Sequence, residues 1–375
     1  MKLRTILAAT AAIGLGAGAL PAAAETFRAA TWNVSGSPND VFLNDFADQV
    51  REATGGEIDF EIFPGGVLLP ADGTLPGIAS GVAQLANITA AYIPSDMPVD
   101  AVTADLSFAA DDQLALAFAK TEVGFFNEQM QKEIRGHDLV FVTSFSIGIY
   151  YPICSFDLSS VDDLDGRKVR TSSATQIEFA TQYGAVPVSV PASEIYTGIQ
   201  RGSLDCAFGD ALFLTDYFKL NEVAQSVYRL PLGSNATGGY YMNEDFWAER
   251  TPEERRAMFK ALSRATARSM IGYQAKVDQA WEAAEAAGVA LNEPSEADMA
   301  ALAEFNEAFI AKLAQSEMDK RGIDDPTQLI DDMVAAMDKW KGLLEEVDTT
   351  DLDAVTALLD QEIFDRIDVE TYGLD

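Results

Sequence analysis

The sequence predicts two doubly wound α/β domains, a long helix running along both, and a helical tail. Three observations predict it. Strand and helix patterns alternate from Phe27 to Thr89 and again from Arg167 to Phe208. Such alternation implies parallel sheets covered on both faces. A helical pattern opens at Thr251-Pro252-Glu253-Glu254 and meets no firm stop before Gly288. From Ser295 onward the chain is helical and acidic.

The first 24 residues read as an export signal. Lys2 and Arg4 supply a positive start, Ile6 to Leu20 is uncharged, and Ala22-Ala23-Ala24 fits a small-residue cleavage site. The apolar run is about 15 residues, short of the roughly 20 a bilayer needs, which disfavours the alternative of a membrane anchor. The expected destination is the periplasm. Phe27 to Trp32 is the first strand. Ser37-Pro38-Asn39-Asp40 opens a helix with Val41, Phe42, Phe46 and Val50 at helical spacing. Gly55-Gly56 stops it, and Glu57 to Phe63 is a second strand. A short helix at 73–80 and a strand at 84–89 complete the first unit.

In the second unit, Arg167 to Thr171 is a strand, and Ser173 with Gln176 forms a capping box for a helix ending at Gly184. Ala185 to Val190 is a strand, Ser193 caps the next helix, and Leu204 to Phe208 is the third strand. The long helix over 252–287 would extend about 54 Å, too long for one small domain. The alternative is two helices broken at Gly272. The expected division is residues 25–149 with about 236–276 in the first domain. The second takes 150–235 with about 277–375.

Composition excludes several functions. The chain has 375 residues, 26 Lys+Arg and 59 Asp+Glu, for a net charge of −33. Nucleic acid is therefore not a partner. One histidine (His137) and two distant cysteines leave little for a zinc site, and no G-x-S-x-G accompanies His137. Cys154 and Cys206 could pair after export, although two buried thiols are the favoured reading.

Open α/β sheets bind ligands at the carboxyl ends of their strands. That rule selects Arg170 beside a helix start, Asp210 after the third strand of the second unit, Trp32 and Asn33 after the first strand, and Tyr92 after 84–89. Phe213 lies one helical turn beyond Asp210, and Tyr150 opens the second unit. Each has a plainer alternative. Arg170 could form a surface ion pair with Glu178 or Asp205, and Asp210 could merely cap a helix. Trp32, Tyr92, Tyr150 and Phe213 could be core residues.

Three segments carry a family resemblance. Ser160-Val161-Asp162-Asp163-Leu164-Asp165-Gly166-Arg167-Lys168-Val169-Arg170 resembles an "s-x-x-D-L-x-G-x-K-x-R" motif. Ser193-Glu194-Ile195-Tyr196-Thr197-Gly198-Ile199-Gln200-Arg201-Gly202-Ser203-Leu204-Asp205 resembles "s-E-x-Y-x-A-L-q-x-G-x-x-D". Thr54 to Phe60 matches a weaker "t-g-G-x-i-x-i" signature. The chain is similar, over about Glu25 to Arg250, to the periplasmic solute receptors of tripartite ATP-independent (TRAP) transporters, of the C4-dicarboxylate-binding type.

The resemblance implies a type II-like periplasmic binding protein, with two domains, a hinge and a ligand cleft. Such receptors close over one organic acid and deliver it to the small and large permease subunits. They are not enzymes. The arginine matching Arg170 binds the ligand carboxylate. Asp210 and Phe213 fall where the family places a polar and an aromatic lining residue. Tyr150 stands where sialic-acid receptors of the family carry a second arginine, so that clamp is missing here. Gly198 replaces the usual alanine, and Cys206 the usual glycine. The Glu-rich cluster of the metal-assisted receptors is not placed here, so no metal or cofactor is expected.

The expected ligand is therefore a small acid with one carboxylate on Arg170. A dicarboxylate is an alternative, as is a zwitterion (ectoine-like or an amino acid) whose cation meets Asp210. A receptor for an ATP-driven importer and an exported hydrolase using Asp210 and Glu194 are the rival classes. The chain is expected to be a monomer, with a dimer through the acidic tail as the alternative.

Overall fold

The computed structural model describes residues 25–190, 194–234 and 237–374. The export segment and Ser193, expected as a helix cap, lie outside the described residues. β1 (Glu25–Ala30) leads to α1 (Pro38–Ala53), where the Ser37 side chain accepts the Asp40 N–H and Pro38 fills the first turn. Phe42, Leu43, Phe46, Ala47 and Val50 form the buried stripe of α1. Then come β2 (Ile58–Phe63), α2 (Thr74–Ala79), β3 (Leu85–Ile88), α3 (Pro98–Leu106), α4 (Gln113–Phe126), α5 (Glu128–Arg135) and β4 (Leu139–Ser146). Every residue of β3 and β4 is buried; β3 is central in its sheet, whereas β4 is an edge strand covered by helices.

The second unit holds β5 (Tyr150–Cys154), β6 (Lys168–Arg170), α6 (Ala174–Gln182), β7 (Val186–Val188), α7 (Ile195–Gln200), β8 (Cys206–Asp210) and β9 (Ser226–Tyr228). The chain then returns through β10 (Thr237–Asn243), α8 (Glu244–Ala248) and α9 (Pro252–Ala286). It ends in β11 (Ala290–Asn292), α10 (Glu296–Arg321), α11 (Thr327–Glu345) and α12 (Leu352–Glu362).

The sheets have the orders β2-β1-β3-β10-β4 and β11-β9-β5-β8-β6-β7. Each is mixed, where the sequence implied wholly parallel sheets. β10 runs antiparallel to β3 and β4, and β5 antiparallel to β8 and β9. Local alternation reports only the βα units. β10 enters the first sheet from a segment that follows the second unit, so its pairing is non-local.

Two strands of chain cross between the units side by side. The Tyr150 N–H donates to the Gly233 carbonyl at 2.8 Å, and the Leu232 N–H to the Tyr150 carbonyl at 2.9 Å. Gly233 has φ +74°, and a Cβ there would lie 1.8 Å from the Phe108 carbonyl oxygen. Only glycine meets both conditions.

α9 forms without a break at Gly272. Thr251 and Glu254 complete a reciprocal capping box at its start. Met258, Leu262 and Met270 pack into the first core, Tyr273, Val277 and Ala280 against Ala211 and Leu212, and Ala284 into the second core. α10 crosses as well: Leu302 and Phe305 belong to the second core and Leu313 to the first.

The tail was expected to stay with the second domain. Instead α11 packs on α4 and α12 on α9, both in the first core. Leu329, Ile330, Met333, Ala336, Trp340 and Leu344 give α11 one buried face, and the Trp340 Nε1 donates to Glu122 at 2.7 Å. The favoured reading of the cysteines is also corrected. Cys154 and Cys206 sit directly opposite each other on β5 and β8 and form a buried disulfide.

Candidate ligand cleft

β6 and β8 are parallel neighbours, so Arg170 and Asp210 fall at the same edge of the second sheet. β5 is antiparallel and begins there, which places Tyr150 opposite Asp210. Topology alone thus brings three of the expected residues together.

Arg170 is buried, at 7% exposure. Its Nε donates to the Val190 carbonyl at 3.3 Å and its Nη1 to the Phe208 carbonyl at 3.4 Å. The Tyr150 hydroxyl lies beside the guanidinium, and burial draws the Arg170 pKa below its ordinary value while Tyr150 opposes that shift. Among the described residues no carboxylate forms an ion pair with Arg170. The two partners proposed for a surface pair are engaged elsewhere. Glu178 binds Lys312, and Asp205 accepts the Lys168 N–H at 2.8 Å. Next to it, the buried Thr171 hydroxyl has no hydrogen-bond partner.

Tyr150 and Phe213 are buried, with rings edge-to-face at 5.6 Å. Phe213 also meets Phe218 at 4.8 Å and Tyr217 at 6.3 Å. Burial raises the Tyr150 pKa well above the ordinary phenol value, and Asp210 adds to it. Tyr217 and Phe218 were not selected from sequence. Their spacing from Phe213 was the available signal.

Asp210 has a different task from the one expected of it. It caps the short 3₁₀ turn Ala211–Leu214, Oδ1 accepting the Leu212 N–H at 2.5 Å. Oδ2 accepts the Tyr273 hydroxyl of α9, and that hydroxyl accepts the Gly148 N–H at 3.0 Å. A Cβ at Gly148 would lie 2.8 Å from Oδ2. One carboxylate thus joins β8, the long helix and the crossing segment between the units. Burial pushes its pKa up to about 6, against the pull of the Tyr273 hydroxyl and the Leu212 and Gly148 N–H groups. Both oxygens are committed inside the protein, so the geometry lends no support to Asp210 as a ligand contact. Tyr273 was missed because nothing local in the sequence ties it to Asp210.

The first unit contributes the loops at the carboxyl ends of its parallel strands. Trp32 stacks edge-to-face on Tyr92 at 5.4 Å, and Tyr92 is 56% exposed, so it is not a core residue. The Trp32 Nε1 is buried without an acceptor. Tyr92 adds a small upward push to the Tyr150 pKa. Asn33 is committed to its own loop. Its Oδ1 accepts from Thr31, Asn39 and Asn87 at 3.1, 2.8 and 3.3 Å. It fixes the Trp32 loop rather than offering that oxygen outward.

A separate cavity of about 340 Å³ lies between α4, α10 and α11, lined by Ala110, Leu302, Ile310 and Met337. It contains none of these residues, and its Lys341 is paired with Asp111. Among the described residues no group of three or more His, Cys, Asp or Glu gathers as metal ligands. Glu194, the proposed hydrolase partner of Asp210, is exposed at the start of α7.

The profile of the bacterial extracellular solute-binding proteins, family 7 (DctP), matches residues 29–317. The chain belongs to this family, whose members are receptors and not enzymes. It is 23% identical over 206 residues to a solute-binding protein of Albidiferax ferrireducens, covering 55% of this chain and 58% of that protein. It is 23% identical over 247 residues to the ectoine-binding periplasmic protein TeaA of Halomonas elongata, covering 64% and 70%. The C4-dicarboxylate-binding protein DctB of Bacillus subtilis is 24% identical over 234 residues, covering 61% and 65%. Among solved structures, a TRAP periplasmic solute-binding protein from Desulfovibrio salexigens in an open complex superposes with a TM-score of 0.75. The identity is 20%, with 84% of this chain and 97% of that one covered. TeaA in its apo state gives 0.71 at 19% identity, covering 84% and 100%. The fold of two α/β units braced by a long helix is therefore shared.

Proposed function

We propose that this chain is a periplasmic receptor that holds a small organic acid between its two units, one carboxylate on Arg170. It then hands the acid to the membrane subunits of a TRAP-type permease. The observation that carries the reading is the buried guanidinium without a carboxylate partner. A buried charge without a counterion is costly, and a ligand carboxylate would supply a bidentate, charge-assisted pair.

Tyr150 and Phe213 form one wall, and Trp32 and Tyr92 the other. A ligand touching both walls favours the closed arrangement, because only that arrangement offers both sets of contacts. The named relatives bind ectoine and C4-dicarboxylates, which sets the range of candidates. The commitment of Asp210 leaves the cation of a zwitterion without its expected partner. Tyr150 in place of a second cation leaves a second carboxylate without one.

The test is native mass spectrometry on protein exported to the periplasm and purified without refolding. The expected result is a bound small acid that dissociates from wild type and is absent from Arg170→Gln. A bound neutral molecule, or equal occupancy in both proteins, would overturn the reading.

A further inference from the structure

The cavity of about 340 Å³ beside α10 plays no part in the receptor reading. It is large enough for a small organic molecule, and its walls belong to different units. Ala110, Ala115 and Leu116 come from the first core, and Leu302 of α10 from the second. Pro231 of the crossing segment lines it too. An occupant therefore touches both units at once. Met299 on α10 and Met337 on α11 add flexible apolar surface, and Met299 is 39% exposed.

The charged lining has an excess of one sign. Asp111, Asp112, Glu307 and Asp338 share it with a single cation, Lys341. Lys341 is taken by Asp111, and Asp112 accepts the Ala115 N–H at 2.8 Å. Glu307 and Asp338 have no ion-pair partner among the described residues. A second observation points to a ligand. Asn306 lines the same cavity, and its Oδ1 is buried without a donor. An amide oxygen can only accept, so it calls for an N–H or O–H. Apolar walls, unpaired carboxylates and an orphan acceptor together select an apolar body that carries a protonated amine. An anion meets repulsion there.

We infer that this cavity is a second ligand site, separate from Arg170, that takes a small amphiphilic amine. The apolar body lies between Leu116 and Leu302, and the ammonium donates to Asn306 in the field of Glu307 and Asp338.

Titration calorimetry on the exported protein tests it with four probes: octylammonium, octyltrimethylammonium, octanoate and methylammonium. Octylammonium should bind one to one. Octyltrimethylammonium keeps the charge and chain but has no N–H, and should bind about tenfold more weakly. Octanoate and methylammonium should not bind measurably, the first for its charge and the second for its lack of apolar area. Ala303→Trp changes an exposed α10 residue of the cavity wall and should abolish octylammonium binding. Asn306→Leu should weaken octylammonium about tenfold and leave octyltrimethylammonium unchanged. Arg170→Gln should bind octylammonium as wild type does. Octylammonium binding that survives Ala303→Trp, or that is lost in Arg170→Gln, would place the amine elsewhere and overturn the site. Octanoate binding as tightly as octylammonium would overturn the amine class, as would an equal loss of both cations in Asn306→Leu. No binding of octylammonium to wild type would overturn the inference outright.

Discussion

Two charged residues at the carboxyl edge of one sheet have opposite fates. Among the described residues no carboxylate pairs with Arg170, whereas Asp210 spends both oxygens on Leu212 and Tyr273. The arginine was legible because a strand end and a helix start converge on it within a few residues. The aspartate was legible only as a position. Its partner Tyr273 lies 63 residues away on another element, and no local pattern reports that distance. The buried carboxyl has a measurable consequence. Its pKa is about 6 in the folded chain against an ordinary 3.8. Between those values the folded state binds more protons than the unfolded state, so stability falls as pH rises from about 4 to 6. Asp210→Asn removes the titration while retaining the polar shape. Relative to wild type, the variant should gain stability on the order of 3 kcal/mol between pH 4 and 7. Urea melts across that range check it; parallel profiles for the two proteins would contradict the assignment.

At the scale of elements, local signals did well where the structure itself is local. Ser37 with Pro38 starts α1, and the Thr251–Glu254 box starts α9, both as the sequence indicates. Gly272 lies exposed within α9 with nothing within 4 Å of an added Cβ. A single such residue costs about 1 kcal/mol, too little to break a helix packed on two cores. β5 and β10 were harder, because antiparallel insertion between distant strands leaves no local trace. The disulfide illustrates the same limit, since only the β5–β8 register brings Cys154 opposite Cys206. That bridge fixes the register of the strands carrying Tyr150 and Asp210. It closes a span of 52 residues, so its removal should cost about 2–4 kcal/mol. Cys154→Ser/Cys206→Ser should show a lower urea midpoint by that amount. An unchanged midpoint would show that the packing of β5 on β8 suffices without the bond.

At the scale of the molecule, the net charge of −33 concerns the surface rather than the cleft. From Ser295 onward there are 22 acids and 6 bases, a net of −16. Part of this charge is paired: Lys339 binds Glu122 and Glu362, and Arg321 binds Asp105. Composition revealed the acidity of the tail but not its destination, because an apolar stripe on a helix does not say which core it fits. The remaining like charges repel, and salt screens them over roughly 8–10 Å. Raising NaCl from about 0.05 to 1 M should therefore raise the melting temperature by several degrees. A melting temperature independent of salt would show that the surface charges are already balanced by pairing.

The central claim is that Arg170 awaits a carboxylate and that filling it closes the two units. Calorimetry of wild type and Arg170→Gln against the acid recovered from the native protein tests this most directly. The account predicts a loss of affinity of about a hundredfold or more, in a variant that still melts cooperatively. Equal affinity in the two proteins would contradict it.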